Sequence, residues 1–158
     1  LSAYLRTGGT VLFDTREQSR LTFDPFESGG AEAAKLRSML RELDIPALVP
    51  VPSDHVINKA FYLLKEYPGR WRGGTVWVER RGGRHNDGVS SVLIGSNDWA
   101  GAWAVDPQGS PMFPVSSDGE RQREFAYRFG VNWVMYALTG NYKTDQVHVP
   151  SIIERLGQ

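Results

Sequence analysis

Cysteine is absent from this chain of 158 residues. Its absence excludes disulfide bonds, zinc sites built on thiolates and a cysteine nucleophile, but it leaves the cellular compartment open. The chain is long enough for one domain with a substantial hydrophobic core and too short for two. We therefore predict a single domain over residues 1–158.

A net charge is missing as well, because 18 basic and 18 acidic residues cancel. Without a basic excess, the chain lacks the electrostatic attraction that binds nucleic-acid phosphates or anionic lipids. No apolar run approaches the roughly 18–20 residues needed to span a bilayer. We therefore expect no nucleic-acid partner and no direct insertion of this segment into a membrane.

Motifs that identify a specific reaction are also missing. The chain has no G-x-S-x-G turn of serine hydrolases, no G-x-G-x-x-G turn and no phosphate-binding P-loop. Its three histidines, His55, His85 and His148, do not have the spacing of metal ligands. The sequence therefore indicates no cofactor and no metal.

The pattern of apolar residues predicts alternating helices and strands. Strands are predicted at Thr10–Asp14, Thr75–Arg80 and Val89–Gly95, and an edge strand, interrupted by prolines, at Ile45–Val51. Helices are predicted at Leu1–Arg6, Ala31–Leu43, Glu120–Thr139 and Val147–Leu156. A short turn of helix is predicted to open at Asp54-His55 and to run through Asn58–Leu64. The turn signal Asp87-Gly88 predicts a hairpin around the loop Arg80–Gly88. This order predicts an α/β fold, an incomplete three-layer doubly wound sheet with an antiparallel hairpin.

The longest predicted helix, Glu120–Thr139, has an unusually apolar second half. One stripe and its flanks are formed by Phe125, Phe129, Trp133 and Tyr136 with Val131, Val134, Met135 and Leu138. A helix that is apolar nearly all round is typically buried, so we predict a buried position. Asn132 must then have a hydrogen-bond partner, which we expect to be backbone or a strand-end side chain.

The most informative segment is Gly88–Trp103. Its apolar run Val92–Ile94 stops at Gly95, and the polar residues Ser96, Asn97 and Asp98 precede Trp99. Such a run predicts a strand buried on both faces, and open α/β sheets bind ligands beyond the carboxyl ends of their strands. Ser96–Trp99 is therefore the predicted rim of any cleft, with Asn97 and Trp99 as candidate ligand-binding residues.

Two carboxylates follow predicted strands and are expected to meet at one edge of the sheet. Asp14 ends the first strand, and Asp98 follows Gly95. Paired carboxylates suit acid–base catalysis or a divalent cation. Strand-end aspartates more commonly cap turns and helices, which is the role that we expect here.

His55 and Ser96 complete the set of catalytic candidates. His55 follows a loop and could reach the strand-end cleft, where Ser96, His55 and Asp14 would form a hydrolytic triad. The alternative is that His55 makes a structural hydrogen bond at the start of a helix, which is the commoner use of such a residue.

Five tryptophans in one small domain raise the possibility of carbohydrate binding. Trp99 with Trp103, or Trp71 with Trp77, would then stack on sugar rings. Tryptophan is highly buried on average, however, so the favoured interpretation places Trp77, Trp103 and Trp133 in the core with Trp71 covering it.

Several segments together resemble a bacterial family of unknown function, DUF4159, which is similar in fold to class I glutamine amidotransferase-like and ThuA-like domains. The matching segments are Tyr4–Asp14, Asp54–Ile57 with Ala60–Tyr62, Val89–Trp103, Phe129–Trp133 and Tyr136–Gly140. The resemblance implies a flavodoxin-like, amidotransferase-like sheet, of which this chain is the C-terminal part within a longer, membrane-associated protein. It supplies no catalytic residues.

These observations lead to three hypotheses on function. The first is a non-catalytic, amidotransferase-like domain that binds a protein partner or a small ligand for assembly. The second is a hydrolase-type enzyme whose cleft uses Asp14, His55 and Asp98. The third is a carbohydrate-binding module that uses Trp99 and Trp103.

Overall fold

A computed structural model describes residues 1–16, 31–43, 45, 47–80 and 89–140, which include a four-stranded sheet. Its strands are β1 (Val11–Asp14), β2 (Leu48–Pro50), β3 (Trp77–Glu79) and β4 (Val92–Gly95). They lie in the order β1-β4-β3-β2, with β1 parallel to β4 and β3 antiparallel to both of its neighbours. The predicted α/β class and antiparallel β3–β4 pair are confirmed, and the proline-containing β2 lies at an edge, as predicted.

Four helices and a short 3₁₀ turn accompany the sheet in the described part of the chain. They are α1 (Ser2–Arg6), α2 (Ala31–Arg41), α3 (Trp99–Trp103), α4 (Gly119–Thr139) and the 3₁₀ turn Val56–Asn58. The end of α4 follows the prediction closely, because Gly140 adopts φ +54° directly after it. Glycine reaches such a conformation without the steric cost that other residues pay.

The strands bury both of their faces. Leu93 and Val78 point to one side and pack in a cluster with Phe129 of α4. Val92 and Ile94 point to the other side and pack with Leu36 of α2. Because successive strand residues alternate in direction, the described helices and the sheet form three layers with a core on each side of the sheet.

The helical turn predicted to open at Asp54-His55 is present, but it is shorter than predicted. His55 caps the 3₁₀ turn Val56–Asn58, and no helix follows it up to Leu64. Asn58 donates its side-chain amide to the carbonyls of Pro52 and Ser53. The N–H groups of Phe61 and Tyr62 bind the side chain of Asn132 instead of a helical carbonyl. Side-chain partners thus replace the helical hydrogen bonds.

The prediction that α4 is buried nearly all round is wrong. Its inner face, with Ala126, Phe129 and Tyr136, is fully buried, but Val131 and Leu138 on the outer face are exposed. A helix packed on one side of a sheet buries a single stripe, and in the described residues the outer face of α4 remains accessible.

Some predicted features lie outside the described residues. They are the hairpin loop at 81–88 with His85, the helix at 147–156 and the neighbouring His148. Among the described residues, no helix combines the length and apolarity required to cross a bilayer.

Candidate functional site

Asp14 lies at the carboxyl edge of the sheet, where it caps α3. It ends β1 beside Gly95 of β4, and its carboxylate accepts hydrogen bonds from the backbone N–H groups of Asp98 (3.1 Å) and Trp99 (2.6 Å). Burial raises the pKa of Asp14, whereas these backbone donors act to lower it. Asp14 and Asp98 therefore meet, as the sequence predicts, and the contact is a cap at the start of a helix.

Asp98 directs its own carboxylate inward. Its backbone is left-handed, with φ +53°, and one carboxylate oxygen accepts the N–H of Gly101 at 3.2 Å. The other oxygen forms an ion pair with Nη1 of Arg70 at 2.9 Å. Only 6% of Asp98 is exposed, so both oxygens are held by protein groups.

Arg70 connects the strand-end turn to two further loops. Its Nε donates to the carbonyl of Pro114 at 3.0 Å, and its guanidinium lies over the rings of Trp71 and Phe113. Its backbone N–H also donates to the carbonyl of Asp98 at 3.3 Å. Arg70 therefore fixes the position of the Asp98 carboxylate, and that carboxylate neutralises the charge of Arg70.

Two side chains of α4 donate hydrogen bonds to backbone carbonyls of α3 and of the same loops. Gln122 donates to the carbonyls of Gly69 (2.8 Å) and Arg70 (3.0 Å). Arg123 donates to the carbonyls of Ala102 and Phe113, both at 2.6 Å. Both side chains are buried, and each connects backbone carbonyls of two loop positions to α4.

The candidate ligand-binding residue Asn97 also points into the protein. Its amide nitrogen donates to the carbonyl of Tyr67 at 2.8 Å, and its buried side-chain oxygen has no hydrogen-bond partner among the described residues. A Cβ atom at Gly74 would lie 2.2 Å from that oxygen, so only glycine fits there. The neighbouring candidate Ser96 is 4% exposed. Neither residue lines an open surface.

Tyr67 anchors this turn through its backbone. Its carbonyl accepts hydrogen bonds from the side chains of both Asn97 and Trp99. Its hydroxyl donates to the side-chain oxygen of Asn58, and burial raises the pKa of Tyr67 to about 12. The hydroxyl therefore remains protonated and acts as a structural donor.

Trp99, the second candidate for ligand binding, has no accessible surface in this structure. Its indole stacks on Phe129, with ring centroids 4.6 Å apart, and packs so closely that a Cβ at Gly95 would lie 2.3 Å from it. Trp103 donates its indole N–H to the carbonyl of Ala126 at 2.8 Å and is partly buried against the core. A fully buried ring cannot stack on a carbohydrate, so the pair Trp99 and Trp103 does not form a sugar platform.

His55 lies at the opposite end of β4 from Asp98. Its Nδ1 accepts the N–H of Ile57 at 3.2 Å, and its Nε2 lies 3.4 Å from the hydroxyl of Ser90, which precedes β4. The four residues of β4 alone separate Ser90 from Asp98 by about 10 Å. The structure therefore brings Asp14 and Asp98 together but not His55, and the triad with Ser96 is not assembled. His55 caps the 3₁₀ turn instead.

The prediction for Asn132 is confirmed. Its side-chain oxygen accepts the N–H groups of Phe61 (3.2 Å) and Tyr62 (2.7 Å). Its nitrogen donates to the carbonyls of Ile57 (2.7 Å) and Tyr62 (2.8 Å). One buried amide thus satisfies four backbone groups of the loop that follows the 3₁₀ turn.

An open pocket of about 230 Å³ lies at the start of α4. It is lined by Glu66, Pro68, Arg72, Asp118, Arg121, Gln122 and Phe125. Arg72 forms ion pairs with Glu66 and Asp118 across it. Among the described residues, no three His, Asp or Glu side chains cluster as metal ligands.

Sequence reasoning missed the residues that fix the strand-end turn, namely Arg70, Gln122 and Arg123. A signal was present for one of them: Gln122 is a polar residue seven positions before Phe129 and lies on the same face of α4. The partner of Arg70 lies 28 positions away along the chain, and no local pattern predicts that pair.

A comparison with curated proteins finds no match. The family model described as "Domain of unknown function (DUF4159)" matches residues 1–138, which include every element of the sheet and nearly all of α4. The chain therefore belongs to the DUF4159 family.

Proposed function

We propose that this chain is a non-catalytic α/β domain, with an amidotransferase-like, doubly wound arrangement, that serves binding or assembly within a membrane-associated bacterial protein. The observation that carries this proposal is the outer edge of β1, an apolar strand that is paired on one side only among the described residues. The amidotransferase-like and membrane-associated parts rest on the family resemblance given above.

The state of the strand-end carboxylates supports a structural role over catalysis. Asp14 caps α3, and Asp98 is bound by Arg70 and by the N–H of Gly101. A general acid or base needs a free path to the substrate proton. The carboxylates of Asp14 and Asp98 already accept hydrogen bonds from backbone N–H groups and, for Asp98, from a guanidinium group. Their geometry therefore does not support the hydrolase hypothesis.

The geometry of β1 supports assembly through its edge. Val11 and Thr15 donate their backbone N–H groups to Ser91 and Gly95, on the side of β4. In a parallel ladder, alternate residues point their N–H groups in opposite directions. The N–H and C=O groups of Leu12 therefore point away from β4, and in the described part of the chain no backbone group binds them.

The composition of β1 strengthens this argument. Proteins usually protect an exposed strand edge with charge, proline or a bulge. Val11, Leu12 and Phe13 offer none of these, and Leu12 and Phe13 pack against the two cores on opposite faces of the sheet. An apolar strand of this kind is typical of a sheet interior, so a further strand added by the same polypeptide would complete it.

Amide hydrogen exchange measured by NMR tests this proposal. The residues 1–158 alone are compared with the whole polypeptide that the gene encodes. We expect the amide of Leu12 to exchange at least about tenfold more slowly in the whole polypeptide, because a strand covers it there. The amide of Phe13, which points towards β4, is the internal control and stays protected in both. Equal exchange of Leu12 in both polypeptides would overturn the proposal.

A further inference from the structure

The outer face of α4 carries an apolar stripe that the fold leaves exposed. We call Tyr127, Val131, Val134 and Leu138 the outer stripe. Their spacing of four, three and four residues places them on one side of the helix, opposite the buried Phe129 and Tyr136. They are 41%, 39%, 54% and 77% exposed, respectively. Contiguous apolar residues of this kind mark a surface that another element covers.

Exposure of the outer stripe is greatest where the described chain ends. Leu138 lies two residues before Gly140, whose φ of +54° and ψ of −140° turn the backbone out of the helical path. Residues 141–158 follow directly. The eight residues at 141–148 can extend about 25 Å, and the distance along α4 from Tyr127 to Leu138 is about 16 Å. The following segment can therefore reach every position of the stripe.

The residues beyond this connection have a complementary pattern. Pro150 suits the first position of a helix, and Ile152, Ile153 and Leu156 follow it at i, i+1 and i+4, with Ser151, Glu154 and Arg155 around them. Val149 adds an apolar residue directly before the proline. This spacing predicts one apolar helical face, which can pack on an apolar stripe of another helix. A tethered segment is present at an effective concentration on the order of millimolar, which favours it over a second copy of the chain.

We propose that residues 149–156 bind the outer stripe of α4 and cover it within the same chain. This contact is separate from the strand added at β1, because it lies on the outer helical layer and not at the edge of the sheet. It completes the packing of α4 on its second side.

Thiol labelling tests this inference, since the chain has no native cysteine. Val134→Cys is labelled with a thiol reagent under native conditions in the full chain and in the same chain carrying Ile153→Ser and Leu156→Ser. We expect labelling in the full chain to be roughly tenfold slower, because the tail covers the site. The matched control is Arg121→Cys, an exposed position of α4 on a different face from the stripe, which we expect to react equally fast in both backgrounds.

Two results would overturn the inference. One is equal labelling of Val134→Cys with and without the serine substitutions: equally fast labelling would leave the stripe uncovered, and equally slow labelling would mean that some other element covers it. The other is protection that disappears on dilution, which would identify a second copy of the chain as the occupant. Circular dichroism verifies that each variant remains folded, and a chain ending at Gly140 provides an independent second comparison.

Discussion

At the scale of single residues, Asp14 is a charged group placed where burial opposes ionisation. Desolvation raises its pKa, and the backbone N–H groups of Trp99 and Asp98 partly offset that effect. The Asp14 carboxylate accepts both N–H groups at the start of α3, which would otherwise lack partners.

The raised pKa of Asp14 predicts a pH dependence of stability. An acid whose pKa is higher in the folded protein binds more protons there, so its contribution falls as pH rises above the unfolded value of 3.8. We expect the free energy of unfolding of the wild type, minus that of Asp14→Asn, to decrease as pH rises from that value to neutrality. Urea denaturation at several pH values measures the difference. A difference that increases with pH would contradict the assignment.

Asn132 predicts a large effect from one substitution. Asn132→Leu keeps the number and branching of the side-chain heavy atoms but removes the partners of four backbone groups in the loop 57–62. Each buried polar group left unpaired costs about 1–3 kcal/mol, so we expect a loss of at least about 3 kcal/mol. The control Glu120→Gln, exposed at the start of α4, should change stability by no more than about 0.5 kcal/mol. Urea denaturation of both variants gives the values, and equal stabilities would refute the role.

Residues differ in how far the sequence predicts them. Asn132 was predictable, since a single amide in an apolar helix needs a partner wherever the helix packs. The capping role of Asp14 was predictable because aspartates that follow strands commonly cap turns and helices. Arg70 was not, because its two acceptors, Asp98 and the carbonyl of Pro114, lie 28 and 44 positions away and become neighbours only in the fold.

At the scale of elements, α3 is fixed by the close approach of the loop that contains Gly69. A Cβ atom at Gly69 would lie 2.1 Å from the backbone carbonyl oxygen of Asn97. Backbone cannot move aside as a flexible side chain can. We expect Gly69→Ala to lower the free energy of unfolding by about 1–3 kcal/mol, the usual cost of overpacking. Thermal denaturation measures it beside Ala100→Ser, an exposed position of α3 where we expect little change.

The boundaries of elements were predictable where local signals decide them. Gly140 ends α4, and prolines place β2 at an edge. The segment 58–64 was not predictable, because its N–H groups bind Asn132, which is 70 or more positions away. The exposed outer face of α4 was missed for a related reason. An apolar sequence indicates what a helix tends to bury, but not which partner covers each face.

At the scale of the whole molecule, the three layers leave one strand edge and one helical face apolar among the described residues. The sequence indicated the layers through its alternation of helices and strands. It did not indicate the strand order, in which β1 takes an outer position beside β4. The polar turn Ser96–Asp98 is joined to the loop of Gly69 and Arg70 by the ion pair of Asp98 with Arg70, and Gln122 of α4 binds the same loop. The role of this turn is therefore structural.

An experimental structure of the whole polypeptide that the gene encodes would show whether this domain acts in assembly through the outer edge of β1. We expect a further strand whose backbone is hydrogen-bonded to the N–H and C=O groups of Leu12, while Asp14 still caps α3. A β1 edge that faces solvent in that structure would refute the proposed role in assembly.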